Sequence, residues 1–142
     1  MAGLSSFGTL FEMGDGGSPE NFTTIADVHD ISGPTLSAAT EDVTSHSSPN
    51  GWSEYITTIK DAGEVTFSIH YQPTAATHNV TTGVLADLKN GTLRNYKLVF
   101  TDPSHTTWSF SGYVIKFEPK APVKGKLTAD LGFRLTGQPL LA

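Results

Sequence analysis

The sequence predicts a mainly β fold: a β-sandwich or barrel-like pair of sheets with one flanking α-helix, a long inter-strand loop and an N-terminal arm. Three observations predict it. Two segments, EVTFSIHY (64–71) and KLTADLGFRLT (126–136), alternate apolar and polar residues with the period of two that buries one face of a strand. Ser and Thr are abundant while charged residues are only 16% of the chain, a balance that suits pleated surfaces on which Thr packs well. A helical apolar stripe of convincing length occurs once. At 142 residues the chain reads as a single domain, 1–142, large enough to bury a core without staples.

Each element follows in order. Residues 1–21 hold Gly14, Gly16, Gly17 and Pro19, which discourage regular structure, so they read as an arm or loop. Phe7, Leu10 and Phe11 are too apolar for an idle tail, so the arm should dock on something. The sandwich core is expected over 22–139. It begins with a strand from Phe22 to Ser32, ended by Gly33-Pro34, and a short partner from Thr35 to Ala39. The long loop spans 40–61, and within it Ser53 is expected to cap a short helix carrying Tyr55, Ile56 and Ile59 on one side. In the strand from Glu64 to Tyr71, Val65, Phe67, Ile69 and Tyr71 point one way and Glu64, Thr66, Ser68 and His70 the other.

The flanking helix is expected over 79–90, capped by Thr81 or Thr82, striped by Val84, Leu85 and Leu88, and ended at Gly91. Three strands complete the fold. Leu93 to Thr101 aligns Tyr96, Leu98 and Phe100. Thr106 to Phe117 changes phase around Gly112, the mark of a bulge or bend. Lys126 to Thr136 alternates Leu127, Ala129, Leu131, Phe133 and Leu135 against Thr128, Asp130, Gly132, Arg134 and Thr136.

Chemistry is conspicuously absent from this pattern. Without cysteine there are neither disulfides nor thiolate ligands. Asp27 and His29 share a strand face but lack a third ligand at metal-like spacing, and His70 and His78 match no zinc signature. No serine sits in a nucleophile elbow. The cluster Gly14-Asp15-Gly16-Gly17 follows no predicted strand and opens no helix, so it is no phosphate cradle. Glu41, Asp42, Glu54 and Asp61 pair no better than carboxylates of any acidic loop. The three Asn-X-Thr matches, at Asn21, Asn79 and Asn90, are expected by chance in so Thr-rich a chain. Neither an enzyme, nor a cofactor, nor a metal is expected.

The formal net charge of −5 has the wrong sign for a simple nucleic-acid binder, whose affinity comes from basic phosphate contacts. No stretch of about 18 apolar residues suggests a membrane span, and no basic leader with an apolar run suggests a signal peptide. Trp108 alternates with Phe110 and reads as core. Trp52, after Asn50-Gly51, reads as an exposed anchor, either for a protein interface or, as the alternative function, for a sugar in a carbohydrate- or cell-surface-binding β-sandwich module.

Five segments carry a resemblance. ADVHDISGPTLSA (26–38), EDVTSHSSPNGWSEYI (41–56), KDAGEVTFSIHYQP (60–73), GVLADLKNGTLRNYKLVF (83–100) and APVKGKLTADLGFRLTGQP (121–139) resemble, in order and spacing, the major tail protein, or tail tube protein, of long non-contractile-tailed (siphovirus-type) phages. The resemblance covers Phe22 to the C-terminus. Some relatives carry a further immunoglobulin-like domain; none is expected here.

The resemblance implies a structural virion protein that forms hexameric rings, stacked into a hollow tail tube through which DNA passes without specific binding. The inner wall would be a continuous barrel with about four strands per subunit. About 24 strands spaced ~4.8 Å apart and tilted up to ~40° enclose a backbone circle of roughly 37–48 Å. Side chains of about 5 Å on each side leave roughly 27–38 Å, ample for a duplex of about 20 Å. Implied partners are further copies of the chain and other tail proteins (tape measure, terminator, and baseplate or tip), with no membrane partner. The implied location is the virion tail, assembled in the host cytoplasm.

On this reading Glu64, Thr66, Ser68, Thr128 and Asp130 face the lumen as a polar, acidic wall. Arg134 and Lys126 interrupt it, at a rim or against a neighbour's carboxylate. Phe7, Phe11, Trp52 and Tyr55 are the expected contacts between rings.

Overall fold

The computed structural model describes residues 3–141. In chain order the strands are β1 (Leu10–Gly14), β2 (Phe22–Thr24), β3 (Val28–Ser32), β4 (Ser37–Asp42), β5 (Tyr55–Asp61), β6 (Glu64–His70), β7 (Arg94–Val99), β8 (Thr107–Lys120) and β9 (Thr128–Leu141). Helix α1 (Val84–Asn90) lies between β6 and β7. Seven strands pair antiparallel in the order β2-β1-β7-β8-β9-β6-β3, and β4 pairs only with β5 as a separate hairpin.

Connectivity forces this sheet to fold over. β2 and β3 occupy its opposite edges, yet only residues 25–27 separate them. So short a link reaches about 14 Å, whereas a flat seven-stranded sheet is about 29 Å wide. Asp27 makes the turn with a left-handed backbone (φ 57°), and Ile25 beside it is buried.

The bend itself lies in β8 and β9, two 14-residue strands paired along almost their whole length. Their register shifts between Ser109 and Ser111 and again between Val114 and Lys116. Gly112 sits between these shifts, where a β-carbon would lie 2.5 Å from the Arg134 carbonyl oxygen. The N-terminal half of β8 pairs with β7, and the N-terminal half of β9 pairs with β6. One continuous sheet thereby makes two layers, β2-β1-β7-β8 over β8-β9-β6-β3.

The core fills the space between them. Phe11 of β1 stands 4.9 Å from the Phe67 ring and 5.3 Å from the Phe133 ring, measured between centroids. Val65, Ile69, Leu98, Ala129 and Leu131 complete the contact around these aromatics. Helix α1 adds Val84 and, at the margin, Leu88.

Four expectations are corrected. The N-terminal segment is not wholly an arm: Leu10–Gly14 is an inner strand held between β2 and β7. Phe11, expected at a ring contact, is fully buried in the subunit's own core, because β1 pairing turns it between the two layers. The strand expected from Phe22 to Ser32 is broken at Asp27 into two edge strands. The helix expected after Ser53 is strand β5, since Ile56, Thr57, Thr58 and Ile59 form a β-branched run that favours pairing with β4.

Helix α1 starts at Val84, later than expected, with Gly83 rather than Thr81 or Thr82 at its N-cap. Asn79 organises the approach instead, its Oδ1 accepting the amides of Thr81, Thr82 and Gly83. Gly91 ends the helix in the left-handed conformation, as its position suggested. The helical stripe is not purely apolar. Asp87 is buried and receives Arg94 through two bonds, Nε at 2.6 Å and Nη2 at 2.7 Å, while Arg94 Nη1 donates to the Gly14 carbonyl. Asp87 holds the Arg94 guanidinium above its ordinary pKa, and burial raises the neighbouring Tyr96 hydroxyl above its own.

Candidate functional site

Because side chains alternate along strands, the core face of β8-β9-β6-β3 leaves a second face pointing away from the molecule. Antiparallel register lines that outer face into cross-strand rows. Lys116 stands beside Gly132, Thr66 and Ser32; Glu118 beside Asp130, Ser68 and His29; Lys120 beside Thr128 and His70. Glu64 and Tyr113 flank Arg134. All five residues expected on one wall (Glu64, Thr66, Ser68, Thr128 and Asp130) therefore share this face.

The face is not uniformly acidic. It carries three carboxylates (Glu64, Glu118, Asp130) and three cations (Lys116, Lys120, Arg134), which balance. Asp130 accepts from Ser68 Oγ at 2.7 Å and pairs with Lys120 Nζ at 2.7 Å. Lys120 and then Ser68 hold the Asp130 carboxyl below its ordinary pKa, and Asp130 raises Lys120. Arg134 finds its carboxylate within the subunit, Asp61 Oδ2 at 2.8 Å, rather than on a neighbour. Asp61 lies below its ordinary pKa because the Gly63 amide and then Arg134 favour its charged form. Lys126 lies in the exposed turn between β8 and β9.

Sequence reading missed Lys116, Glu118 and Lys120, because the second bulge of β8 at Ile115 resets which residues face outward. It also missed a pairing across β3 and β6: the His29 and His70 rings stack at 4.7 Å. Asp27, which sequence reading grouped with His29, instead accepts from Gln72 Nε2. No group of three or more His, Cys, Asp or Glu suited to a metal occurs among the described residues.

The other surface of interest is the β4–β5 hairpin. Every residue of both strands is exposed, and the connecting loop carries Trp52 at 74% exposure through a 3₁₀ turn at Pro49–Gly51. Tyr55, Ile56 and Ile59 are likewise exposed. Phe7, ahead of β1, is 94% exposed. Three of the four expected contact residues (Phe7, Trp52 and Tyr55) are thus available to a partner. A cleft between the hairpin base and the end of β9 is lined by Leu36, Lys60 and Pro139.

Comparison with known proteins matches residues 7–142 to the family model described as Lambda phage tail tube protein. No curated protein sequence matches. Among solved structures, the chain is similar to one from the virion of a native gene transfer agent particle, with TM-score 0.75, 16% identity, and 99% of each chain covered. A chain from the tail of an empty gene transfer agent particle, refined with C6 symmetry, is similar at TM-score 0.73 and 18% identity, again with 99% of each covered. The SPP1 tail tube protein is similar at TM-score 0.66 and 9% identity, over 93% of this chain and 74% of that one. At these identities the likeness shows the fold.

Proposed function

The chain belongs to the Lambda phage tail tube protein family and is a structural component of the virion tail, and from that premise we propose that its copies close into hexameric rings whose inner wall is the outer face of β8-β9-β6-β3. One observation carries this reading. The four strands of that layer present rows of polar and charge-paired side chains on a face that no other described element covers, in the number a barrel of about 24 strands requires from each of six copies.

The chemistry of the face suits a conduit for DNA. Free lysines would bind phosphates and add salt-dependent affinity for the cargo. Here Lys120 and Arg134 are already occupied by Asp130 and Asp61, Lys116 stands 4.0 Å from Glu118, and Ser68, Thr66 and Thr128 offer only neutral hydroxyls. A wall whose cations are spoken for lets a duplex pass without gripping it. Neutrality by pairing replaces the acidic wall expected from sequence.

Stacking of rings falls to the β4–β5 hairpin, with Trp52 and Tyr55, and to Phe7. These apolar side chains are exposed in the subunit and bury nothing within it. Terminator, tape measure and baseplate or tip proteins would meet the tube ends, after assembly in the host cytoplasm. Negative-stain microscopy of concentrated protein, nucleated with tail tips where needed, tests the reading. Hollow filaments of uniform width are the expected result; their absence from both concentrated protein and intact particles would refute it.

A further inference from the structure

The outer face of β3 and β6 holds a histidine pair that a tube wall leaves unused. His29 of β3 and His70 of β6 stack at 4.7 Å between ring centroids. His29 Nε2 and His70 Nδ1 are both buried without a hydrogen-bond partner among the described residues. A buried polar atom left unpaired is costly, so an orphaned nitrogen on each of two touching rings calls for an occupant.

Hydrogen bonding fixes what these atoms can do. Asp30 Oδ2 lies 3.3 Å from His29 Nδ1. An ionised carboxylate can only accept, so Nδ1 carries the ring proton and Nε2 keeps its lone pair. A histidine whose other nitrogen donates to a carboxylate is the arrangement that orients imidazole toward a metal. His70 presents a lone pair at Nδ1 in its Nε2–H form. Two nitrogens on one ion at ~2.1 Å stand about 3.4 Å apart, a separation that rings with this spacing reach by small side-chain rotations.

We propose that His29 and His70 bind one divalent transition metal of the zinc or copper class, with water completing its shell, and that the ion stitches edge strand β3 to β6. Imidazole nitrogen selects such metals over magnesium or calcium, which favour oxygen ligands. The surrounding charge accommodates a dication. Asp30 adjoins His29, Glu118 and Asp130 stand in the His29 row, and Lys120, the cation beside His70, is paired with Asp130 at 2.7 Å.

Strand β3 is where a stitch has most to add. It is five residues long and pairs only with β6 among the described strands. Its register shifts between His29 and Ser32, with Asp30 on left-handed backbone (φ 52°). An ion that binds the folded pairing in preference to the unfolded chain stabilises the fold by mass action. Spacing along the sequence could not announce the site, because its two ligands meet diagonally across neighbouring strands.

Untagged, metal-stripped subunit in dilute solution is titrated with zinc chloride by calorimetry and melted with and without it. One zinc per chain is expected, and the melting temperature should rise by roughly 5–10 °C at about a hundredfold excess over Kd. His29→Ala and His70→Ala should each weaken binding at least about tenfold and abolish the rise. His46→Ala and His105→Ala, at exposed sites elsewhere, should keep both. Absence of binding, or binding retained by both ligand variants, would overturn the site. Binding without a rise in melting temperature would overturn the stitch.

Copper chloride gives a second reading on the wild-type chain, decisive should an alanine variant fail to fold. Below one equivalent, this paramagnetic ion should broaden the ring resonances of His29 and His70 ahead of those of the other histidines. Equal broadening of the exposed His46 and His105 would mean indiscriminate surface binding and would refute the proposal. Neither result bears on ring formation, because the subunit alone is measured.

Discussion

Every side chain of β4 and β5 is exposed, whereas β6, after a two-residue turn, buries Val65, Phe67 and Ile69 completely or nearly so. The two regions use the same residue types. β5 offers Tyr55, Ile56 and Ile59; β6 offers valine, phenylalanine and isoleucine at alternate positions. What separates them is coverage. β6 has β9 and β3 on its flanks and Phe11 across the core, while the hairpin has only its own partner strand. An isolated hairpin in water is marginal, so the hairpin's order rests on its base, where the Thr35 amide donates to the Glu64 carbonyl and Arg134 meets Asp61. Its exposed apolar surface is a cost to the subunit alone and becomes favourable against another copy.

The comparison breaks most readily at Phe11. Replacing it with alanine opens a cavity among Phe67, Tyr96, Phe110 and Phe133, and about 3–5 kcal/mol of subunit stability should be lost in denaturant titration. That is a large share of what a small domain possesses, so tubes should vanish because folded subunits do.

Asp87→Ala comes next. It leaves the mostly buried Arg94 with the Gly14 carbonyl alone, and about 3 kcal/mol should be lost in the same measurement. A loss under 1 kcal/mol would show that Arg94 escapes to solvent.

The hairpin should behave oppositely. Trp52→Ala should change subunit stability by less than about 0.5 kcal/mol, because the side chain touches no core. It should nonetheless slow tube formation on the order of tenfold, as loss of a central aromatic anchor does at an interface. Normal tubes from this variant would move the inter-ring contact away from Trp52.

Acid should have the smallest effect and should not distinguish the two regions. Asp42 and Asp61 in the hairpin and Asp130 on the outer face all lie below the ordinary carboxylate pKa, held there chiefly by hydrogen bonds they accept from Thr44, from the Gly63 amide and from Lys120 respectively. A carboxyl depressed in the folded state contributes stability that is fully present above its unfolded pKa and is lost as pH falls through the folded one. Melting temperature should therefore hold from pH 7 to about 5 and decline below about 4.

Much of this was legible in the sequence. The period of two in residues 64–71 and 126–136 separated the buried from the outward residues except at Leu127, which is exposed ahead of β9, and Gly112 announced the bend. The polar outer face of β6 and β9 followed from the same alternation. The charge balance did not, because the bulge at Ile115 changes the outward phase of β8 and hides Lys116 and Lys120 from a simple count.

Alternation is a local property: neighbouring side chains on a pleated strand point to opposite faces whatever the strand later pairs with, so the sequence alone determined β6 and β9 and their two faces. Strand order is not local. That β1 enters the sheet and buries Phe11, that three residues carry the chain between the sheet's opposite edges, and that β5 pairs with β4 instead of coiling, all depend on contacts between distant segments. The tertiary structure alone decided which apolar residues are satisfied within the subunit and which strand edges are left open for another.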